Sequence, residues 1–270
     1  VFRGEEKTLP QMARYQEETD RPTREEAWRL VTERRYVEHA KMERIFDEMV
    51  GLRARCAANA GYGNYRDYAF KLRRRDDYTP EDCRLFAEGV ERSIVPAMRR
   101  LNRQRREALG LGALRPWDLV VDVKGRAPLK PFSSGADLLE RTRRVFRRMD
   151  DSAGGLSELF EVLCHPPAGV ECLDLESRKG KAPGGYQANR DRIRLPFIFM
   201  NAAGVQRDVE TMVHEAGHAF HSLLCRDNPV LFNRAEMPIE FAEVASMSME
   251  LTSHPFLEEY YGTKADADRA

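Results

Sequence analysis

The sequence has no excess of charge of either sign. Its 270 residues include 44 Lys and Arg and 44 Asp and Glu side chains, so that the formal net charge is zero. Balanced charge argues against a general nucleic-acid binder, because such proteins usually have a basic surface. The sequence also lacks an uncharged apolar run of the ~18 residues needed to cross a bilayer. We therefore expect neither nucleic acid nor a membrane among the partners of this protein.

Cysteines are few and widely spaced. There are five, an odd number, and no CxxC pair occurs. This usage favours reduced thiols over a disulfide framework and argues against a cysteine-based zinc site. The first residues, VFRGEEKTLP, contain no apolar signal core. Together these features predict a cytoplasmic location.

Apolar and charged residues are both plentiful, and their spacing is mostly helical. Hydrophobic residues make up 42% of the chain and charged residues 33%, which predicts a folded protein with long solvated helices. Apolar side chains recur at helical spacing over residues 24–60, with Thr23 as the expected N-cap. A second long helix is expected after Thr79, and Pro96 is expected to kink or break it.

The pattern changes towards the C-terminal third of the chain. A Gly- and Pro-rich stretch, KGKAPGGYQ, is followed by the apolar, β-prone run LPFIFMN at residues 195–201. This combination predicts a small strand or hairpin within a mainly α protein.

Histidines are concentrated in one short region. Four of the six lie between residues 214 and 254. Two of them belong to the sequence HEAGH, formed by His214, Glu215 and His218 on a helix that Asp208 is expected to cap. Residues four positions apart lie on one helix face, so both imidazoles can reach one ion at about 2.0–2.1 Å. Glu215 can then direct its carboxylate at water on that ion.

A catalytic zinc site usually has three protein ligands and a water, so a third ligand is expected further along. The helix expected after Pro238 carries three carboxylates, Glu240, Glu243 and Glu250. Glu243 follows His218 by 25 positions and lies between alanine and valine. A carboxylate in such surroundings needs a partner, which a metal ion provides. We prefer Glu243 as the third ligand, although the residues alone leave Glu240 open.

Several segments resemble one known family. The sequence HEAGHAFH, followed by PIEFAEVASMSMEL, resembles the thimet-oligopeptidase-like zinc peptidases, and in particular their oligoendopeptidase F branch. The order of GKAPGGYQ, PFIFMNAAG and DVETMVHEAGHAFHS is also similar, and the resemblance is most specific over residues 179–251. Matched position by position, His214, His218 and Glu243 fall on the zinc ligands of the family, and Glu215 falls on its general base.

The resemblance implies a zincin-like helical peptidase, mainly α, with a small β-ribbon bordering the active-site cleft. It implies one Zn²⁺ per chain and a zinc-dependent endopeptidase that hydrolyses short, unfolded oligopeptides. We expect a partial helical lobe over residues 1–130 and a catalytic, zinc-binding region over residues 131–270. Family members are about twice as long, so the catalytic region is expected to be truncated at its C-terminus.

Further residues are expected around the metal. Substrate contacts are expected from Gly184, Gly185, Tyr186 and His221. Glycines permit close backbone approach, and an exposed strand edge can pair with an extended peptide. Ser246 and Glu250 follow Glu243 by one and two helical turns, so either can orient a ligand histidine.

Other functions remain open. The chain can be a non-catalytic or incomplete metal- or peptide-binding fragment of such an enzyme. A related metallocarboxypeptidase or peptidyl-dipeptidase uses the same ligand pattern. An arginine-rich helix that follows Thr79 leaves nucleic-acid binding as a third class, which the balanced charge opposes. Oligomeric state and peptide preference do not follow from the residues.

Overall fold

A computed structural model describes residues 1–153, 155–230 and 238–270. The described helices are α1 (Arg21–Tyr36), α2 (His39–Asn59), α3 (Tyr65–Leu72), α4 (Pro80–Ala108), α5 (Gly135–Ala153), α6 (Leu156–Cys164), α7 (Gln206–Cys225), α8 (Ile239–Ser253), α9 (Glu258–Tyr261) and α10 (Lys264–Ala267). The strands are β1 (Leu173–Glu176), β2 (Tyr186–Arg190) and β3 (Leu195–Ala202). The predicted mainly α fold with a small β element is confirmed.

The chain divides into two compact units. One comprises Val1–Tyr15 together with Ala127–Ala270, and the other comprises Gln16–Arg126. The first fifteen residues therefore group with the C-terminal part of the chain, and the lobe boundary at residue 130 stays a prediction. Within the described residues, no helix combines the length and the apolar character needed to cross a membrane.

The unit formed by Gln16–Arg126 contains α1 to α4. The carboxylate of Asp20, not Thr23, caps α1, because it accepts a hydrogen bond from the Thr23 backbone N–H at 3.0 Å. Both residue types cap helices well, and here the earlier one occupies the N-cap. Thr79 and Asp82 form a reciprocal capping box at the start of α4.

Helix α4 runs unbroken from Pro80 to Ala108, past Pro96, so that the proline does not break the helix, and the alternative, a kink at Pro96, stays a prediction. Proline removes one backbone hydrogen bond, and the intact turns on both sides keep the helix continuous.

The sheet lies in the larger unit and has the order β1-β3-β2. β2 and β3 form an antiparallel hairpin in which Tyr186 faces Phe199 and Arg190 faces Leu195. β1 runs parallel to β3. The strand expected at residues 195–201 is confirmed by β3, whereas β1 was not predicted.

The core of the larger unit surrounds α7. The rings of Phe146 on α5, Phe160 on α6 and Phe220 on α7 pack with centroid distances of 4.9 to 6.3 Å. Met200 and Ile198 of β3 are buried in the same cluster. Because strands and helices enclose it, α7 is a rigid support for the side chains on its remaining face.

Candidate metal centre

Helix α7 presents both histidines of the HEAGH sequence on one face. Its N-cap is Val205, not Asp208 as expected. Asp208 lies in the first turn, where its carboxylate supports this end of the helix by accepting hydrogen bonds from three consecutive backbone N–H groups at 2.7 to 3.0 Å. Its apolar face is buried through Val209, Met212, Val213, Ala216 and Phe220. The rings of His214 and His218 then lie 4.9 Å apart between centroids, nearly perpendicular to each other.

Glu243 of α8 reaches the same place from the neighbouring helix. Its Oε2 lies 3.3 Å from His214 Nε2 and 3.8 Å from His218 Nε2. One donor atom from each of the three residues lies within 4.8 Å of the others. Glu240, the alternative, is exposed, and it is not a member of the cluster found among the described residues.

These separations fit a zinc ion. Ligand atoms at about 2.0–2.1 Å from a tetrahedral Zn²⁺ lie about 3.3 Å from each other. The distances from Glu243 to the two imidazole nitrogens are 3.3 and 3.8 Å, and the donors are two nitrogens and one carboxylate oxygen. That donor set leaves room for a fourth ligand, as catalytic zinc sites require. His214, His218 and Glu243 can therefore hold the metal.

Partners on α8 orient each of the three groups. The second ring nitrogen of His214, Nδ1, lies 2.6 Å from Glu250 Oε1. His218 is hydrogen-bonded to the backbone of Ala242. The Ser246 hydroxyl, which is fully buried, donates to Glu243 Oε2 at 2.8 Å. Such contacts fix the tautomer and ring orientation of a ligand. Glu250 contacts His214, a candidate ligand, whereas Ser246 contacts the Glu243 carboxylate.

The electrostatics suit metal binding by His218. Burial lowers the pKa of His218, and the neighbouring charge of His214 lowers it further, against the opposing effect of Glu243. A lowered pKa favours the neutral imidazole, which is the form that ligates a metal.

Glu215 lies beside the cluster in a buried position, with 7% of its surface exposed. Burial raises the pKa of Glu215, and the charge of Glu243 raises it further, whereas His214 and a hydrogen bond with the Gln187 backbone lower it. A carboxylate with a raised pKa is a stronger proton acceptor, which suits a general base.

An open cleft of about 380 Å³ borders these groups. Its lining includes His214 and Glu215, and also Gly184, Gly185 and Glu250. A Cβ atom on Gly185 would lie only 2.9 Å from the Thr211 side chain, so that a larger residue would require Thr211 to move.

Tyr186 and His221 are not among the residues that line the described cleft. The Tyr186 ring is half exposed and stacks on Phe199 at 5.0 Å between centroids. His221 Nε2 lies 3.4 Å from Cys225 Sγ, one turn further along α7. A substrate role for either residue stays a prediction.

Three further groups support the site and were not predicted from the sequence. They are the Gln187 backbone, the Ala242 backbone and the Asn201 side chain, whose amide donates to the carbonyls of Ala182 and Gly184 at 2.8 and 2.9 Å. Backbone partners have no residue-type signal. For Asn201 the sequence did contain a signal, because it is a polar residue at the end of an apolar strand.

Comparisons with known proteins identify similar sequences. The sequence profile described as Peptidase family M3 matches residues 14–263. Oligoendopeptidase F, chromosomal, of Lactococcus lactis subsp. cremoris is 35% identical over 167 residues, which are 62% of this chain and 25% of that protein.

Solved structures show the same similarity. A crystal structure described as an oligoendopeptidase F from Bacillus anthracis str. Ames has a TM-score of 0.88 and 26% identity, and the match covers 100% of this chain and 47% of that one. A structure of PZ peptidase A with an inhibitor has a TM-score of 0.89 and 29% identity, with 99% and 46% coverage. The chain thus spans less than half the length of each of these relatives.

Proposed function

The chain belongs to peptidase family M3, and on that premise we propose that it is a zinc-dependent endopeptidase that hydrolyses short, unfolded oligopeptides. The observation that supports this most is the cluster of His214, His218 and Glu243, with the buried Glu215 beside it. A metallopeptidase needs this combination, because the metal ligands and the proton acceptor must face one reacting water.

In this proposal each residue has one role. His214, His218 and Glu243 would hold the zinc ion, which would supply Lewis acidity to acidify a water and polarise the scissile carbonyl. Glu215 accepts the proton of the attacking water on its carboxylate and then delivers it to the leaving amine. Glu250 keeps the His214 ring in the orientation that its 2.6 Å contact defines.

The cleft and the sheet support this substrate class. β2 is an outer strand of the described sheet, and Gly184 and Gly185 lie just before it on the cleft wall. An extended peptide can form main-chain hydrogen bonds with such a strand edge. A folded protein has few extended segments free for this pairing, so short unfolded peptides are the favoured substrates.

The decisive experiment replaces Glu215 by Gln and measures both peptide cleavage and bound zinc. Loss of a general base should lower turnover of a quenched fluorescent peptide by about 10²–10⁴-fold. Zinc content should stay at one ion per chain, because Glu215 is not a ligand in this proposal. The control is Glu158→Gln on α6, an exposed position that should change neither quantity.

The same assay decides among the alternatives. Zinc binding without turnover in the unchanged protein would favour a metal- or peptide-binding fragment, and full activity in Glu215→Gln would refute the mechanism. If only C-terminal residues are released from the peptides of a ladder, the result would favour a carboxypeptidase. A cytoplasmic location and the lack of nucleic-acid and membrane partners stay predictions.

A further inference from the structure

Helices α7 and α8 approach each other closely at Gly217. A Cβ atom built on this glycine would lie 2.7 Å from the Ala245 carbonyl oxygen, 2.7 Å from Ser246 Cα and 3.0 Å from Met249 Cγ. Real Cβ atoms do not approach heavy atoms to 2.7 Å, and two of these neighbours are backbone atoms that cannot rotate away. Only a glycine at position 217 therefore permits this spacing of the two helices.

The helix held at this spacing supplies two carboxylates to one imidazole. Glu243 Oε2 lies 3.3 Å from His214 Nε2, and Glu250 Oε1 lies 2.6 Å from His214 Nδ1. Gly217 lies between His214 and His218 in sequence, and the Ala245–Ser246 backbone that it contacts lies between Glu243 and Glu250. An outward shift of α8 would lengthen both contacts to His214.

A third contact lies at the same crossing. Ser246 is fully buried at the close approach, and its hydroxyl donates to the Glu243 carboxylate at 2.8 Å. The residue whose backbone contacts Gly217 thus also orients the third candidate ligand. The spacing of the two helices and the orientation of Glu243 are therefore both set where Gly217 meets Ser246.

We propose that Gly217 is a positioning residue that sets the distance between α7 and α8 and thereby the metal affinity of the centre, with Ser246 orienting Glu243 at the same crossing. The inference rests on the proposed function for the identity of the metal ligands. It assigns Gly217 no contact with substrate or with the reacting atoms.

Two other glycines are matched controls. Gly51 in α2 and Gly89 in α4 are also inside helices, and a Cβ atom on either would meet nothing within 4 Å. Alanine has a higher helix propensity than glycine, so alanine at these two positions should raise the thermal midpoint. Neither position should affect metal affinity.

The experiment compares Gly217→Ala with Gly89→Ala in the full chain. Zn²⁺ affinity is measured by competition with a chromophoric chelator, and the visible spectrum of the Co²⁺-loaded protein reports ligand geometry. Gly217→Ala should weaken Zn²⁺ binding by about tenfold or more, the loss typical for disturbed support of a metal ligand, and should change the Co²⁺ spectrum. Gly89→Ala should match the unchanged protein in both measurements.

A second pair of variants covers the case in which Gly217→Ala does not fold. Ser246→Ala removes the donor to Glu243 and should weaken Zn²⁺ binding by about 10–100-fold. Its control is Ser253→Ala, because Ser253 is also buried on α8 but its hydroxyl donates to the Glu250 backbone carbonyl. That control should keep the affinity of the unchanged protein.

The outcomes separate this inference from the proposed function. If the unchanged protein binds no zinc, the proposed function fails. If it binds zinc and folded Gly217→Ala binds equally well with an unaltered Co²⁺ spectrum, the positioning role is refuted. If Gly217→Ala does not fold, unchanged affinity in Ser246→Ala refutes it, and a selective loss in Ser246→Ala supports it.

Discussion

The two compact units contain amphipathic helices of similar appearance in sequence but differ in what those helices bury. In the unit that contains the candidate metal centre, Phe146 and Phe160 are fully buried. In the other unit, Phe46 on α2 and Phe86 on α4 are 57% and 75% exposed. Helical periodicity therefore indicated where helices form, but it did not indicate which apolar stripes lie in a core.

The unit formed by Gln16–Arg126, the helical unit, contains a buried polar cluster around Asp118, which we call the polar anchor. Asp118 is fully buried, and its carboxylate accepts hydrogen bonds from Arg21 at 2.9 Å, from Arg24 at 3.3 Å and from the Arg115 backbone N–H at 2.9 Å. Trp117, the preceding residue, is also buried. We infer that directional contacts stabilise this unit where large buried side chains stabilise the other.

The largest expected difference between the units comes from removing an aromatic ring. Phe146→Ala should lower the free energy of unfolding by about 3–5 kcal/mol, because it leaves a cavity between Phe160 and Phe220. Phe86→Ala should change it by no more than about 0.5 kcal/mol, because that ring is already in water. Urea unfolding followed by far-ultraviolet circular dichroism measures both. Equal losses in the two variants would remove the contrast.

A smaller effect is expected from breaking the polar anchor. Asp118→Ala should cost about 3 kcal/mol, because it leaves the Arg24 guanidinium buried without its carboxylate. Both tryptophans, Trp28 and Trp117, belong to this unit, so intrinsic fluorescence follows its unfolding. The control Asp76→Ala breaks an exposed ion pair with Lys71 and should cost less than about 1 kcal/mol. A similar cost for both substitutions would contradict the proposed anchor.

The smallest effect should be the same in both units. The hydrogen bond from Arg178 lowers the pKa of Asp174 to about 2, with burial opposing it and Lys181 adding to it. In the helical unit, the hydrogen bond from Arg126 lowers the pKa of Asp122 to about 2 in the same way. A carboxyl with a lowered pKa stabilises the folded state above its unfolded pKa of about 3.9, and this stabilisation is lost as the pH falls towards 2.

Asp174→Asn and Asp122→Asn test this pH dependence. Each should cost at most about 1 kcal/mol at pH 6, and the difference from the unchanged protein should shrink as the pH falls below about 4. Unfolding curves at pH 6, 4 and 2.5 measure it. A cost that is constant over this range would show that packing, not charge, supports the contact.

Local sequence rules predicted the local parts of the structure. Thr79 caps α4, Pro238 precedes α8, and residues 195–201 form a strand, because caps and alternating patterns act within a few residues. The four-residue spacing of His214 and His218 likewise places their rings 4.9 Å apart on one helix face.

Most contacts between distant segments were not predicted. β1 is short and needs the parallel partner β3, and such a pairing has no local signal. The distance between α7 and α8 depends on the atoms that meet at Gly217, and a helical pattern does not contain that information. Only the resemblance to a family distinguished Glu243 from Glu240, because both lie on the same helix within one turn.

Helix α8 exposes apolar side chains on one face and directs two of its carboxylates towards His214. Phe241, Val244 and Leu251 are more than half exposed, whereas Glu243 and Glu250 contact His214. A metal ion held by His214, His218 and Glu243 would cross-link α7 to α8, so that binding of the ion would stabilise the contact between the two helices. Metal binding and the packing of α8 against α7 would then be thermodynamically linked. A chelator that removes the ion would both inactivate the centre and destabilise the contact between the two helices.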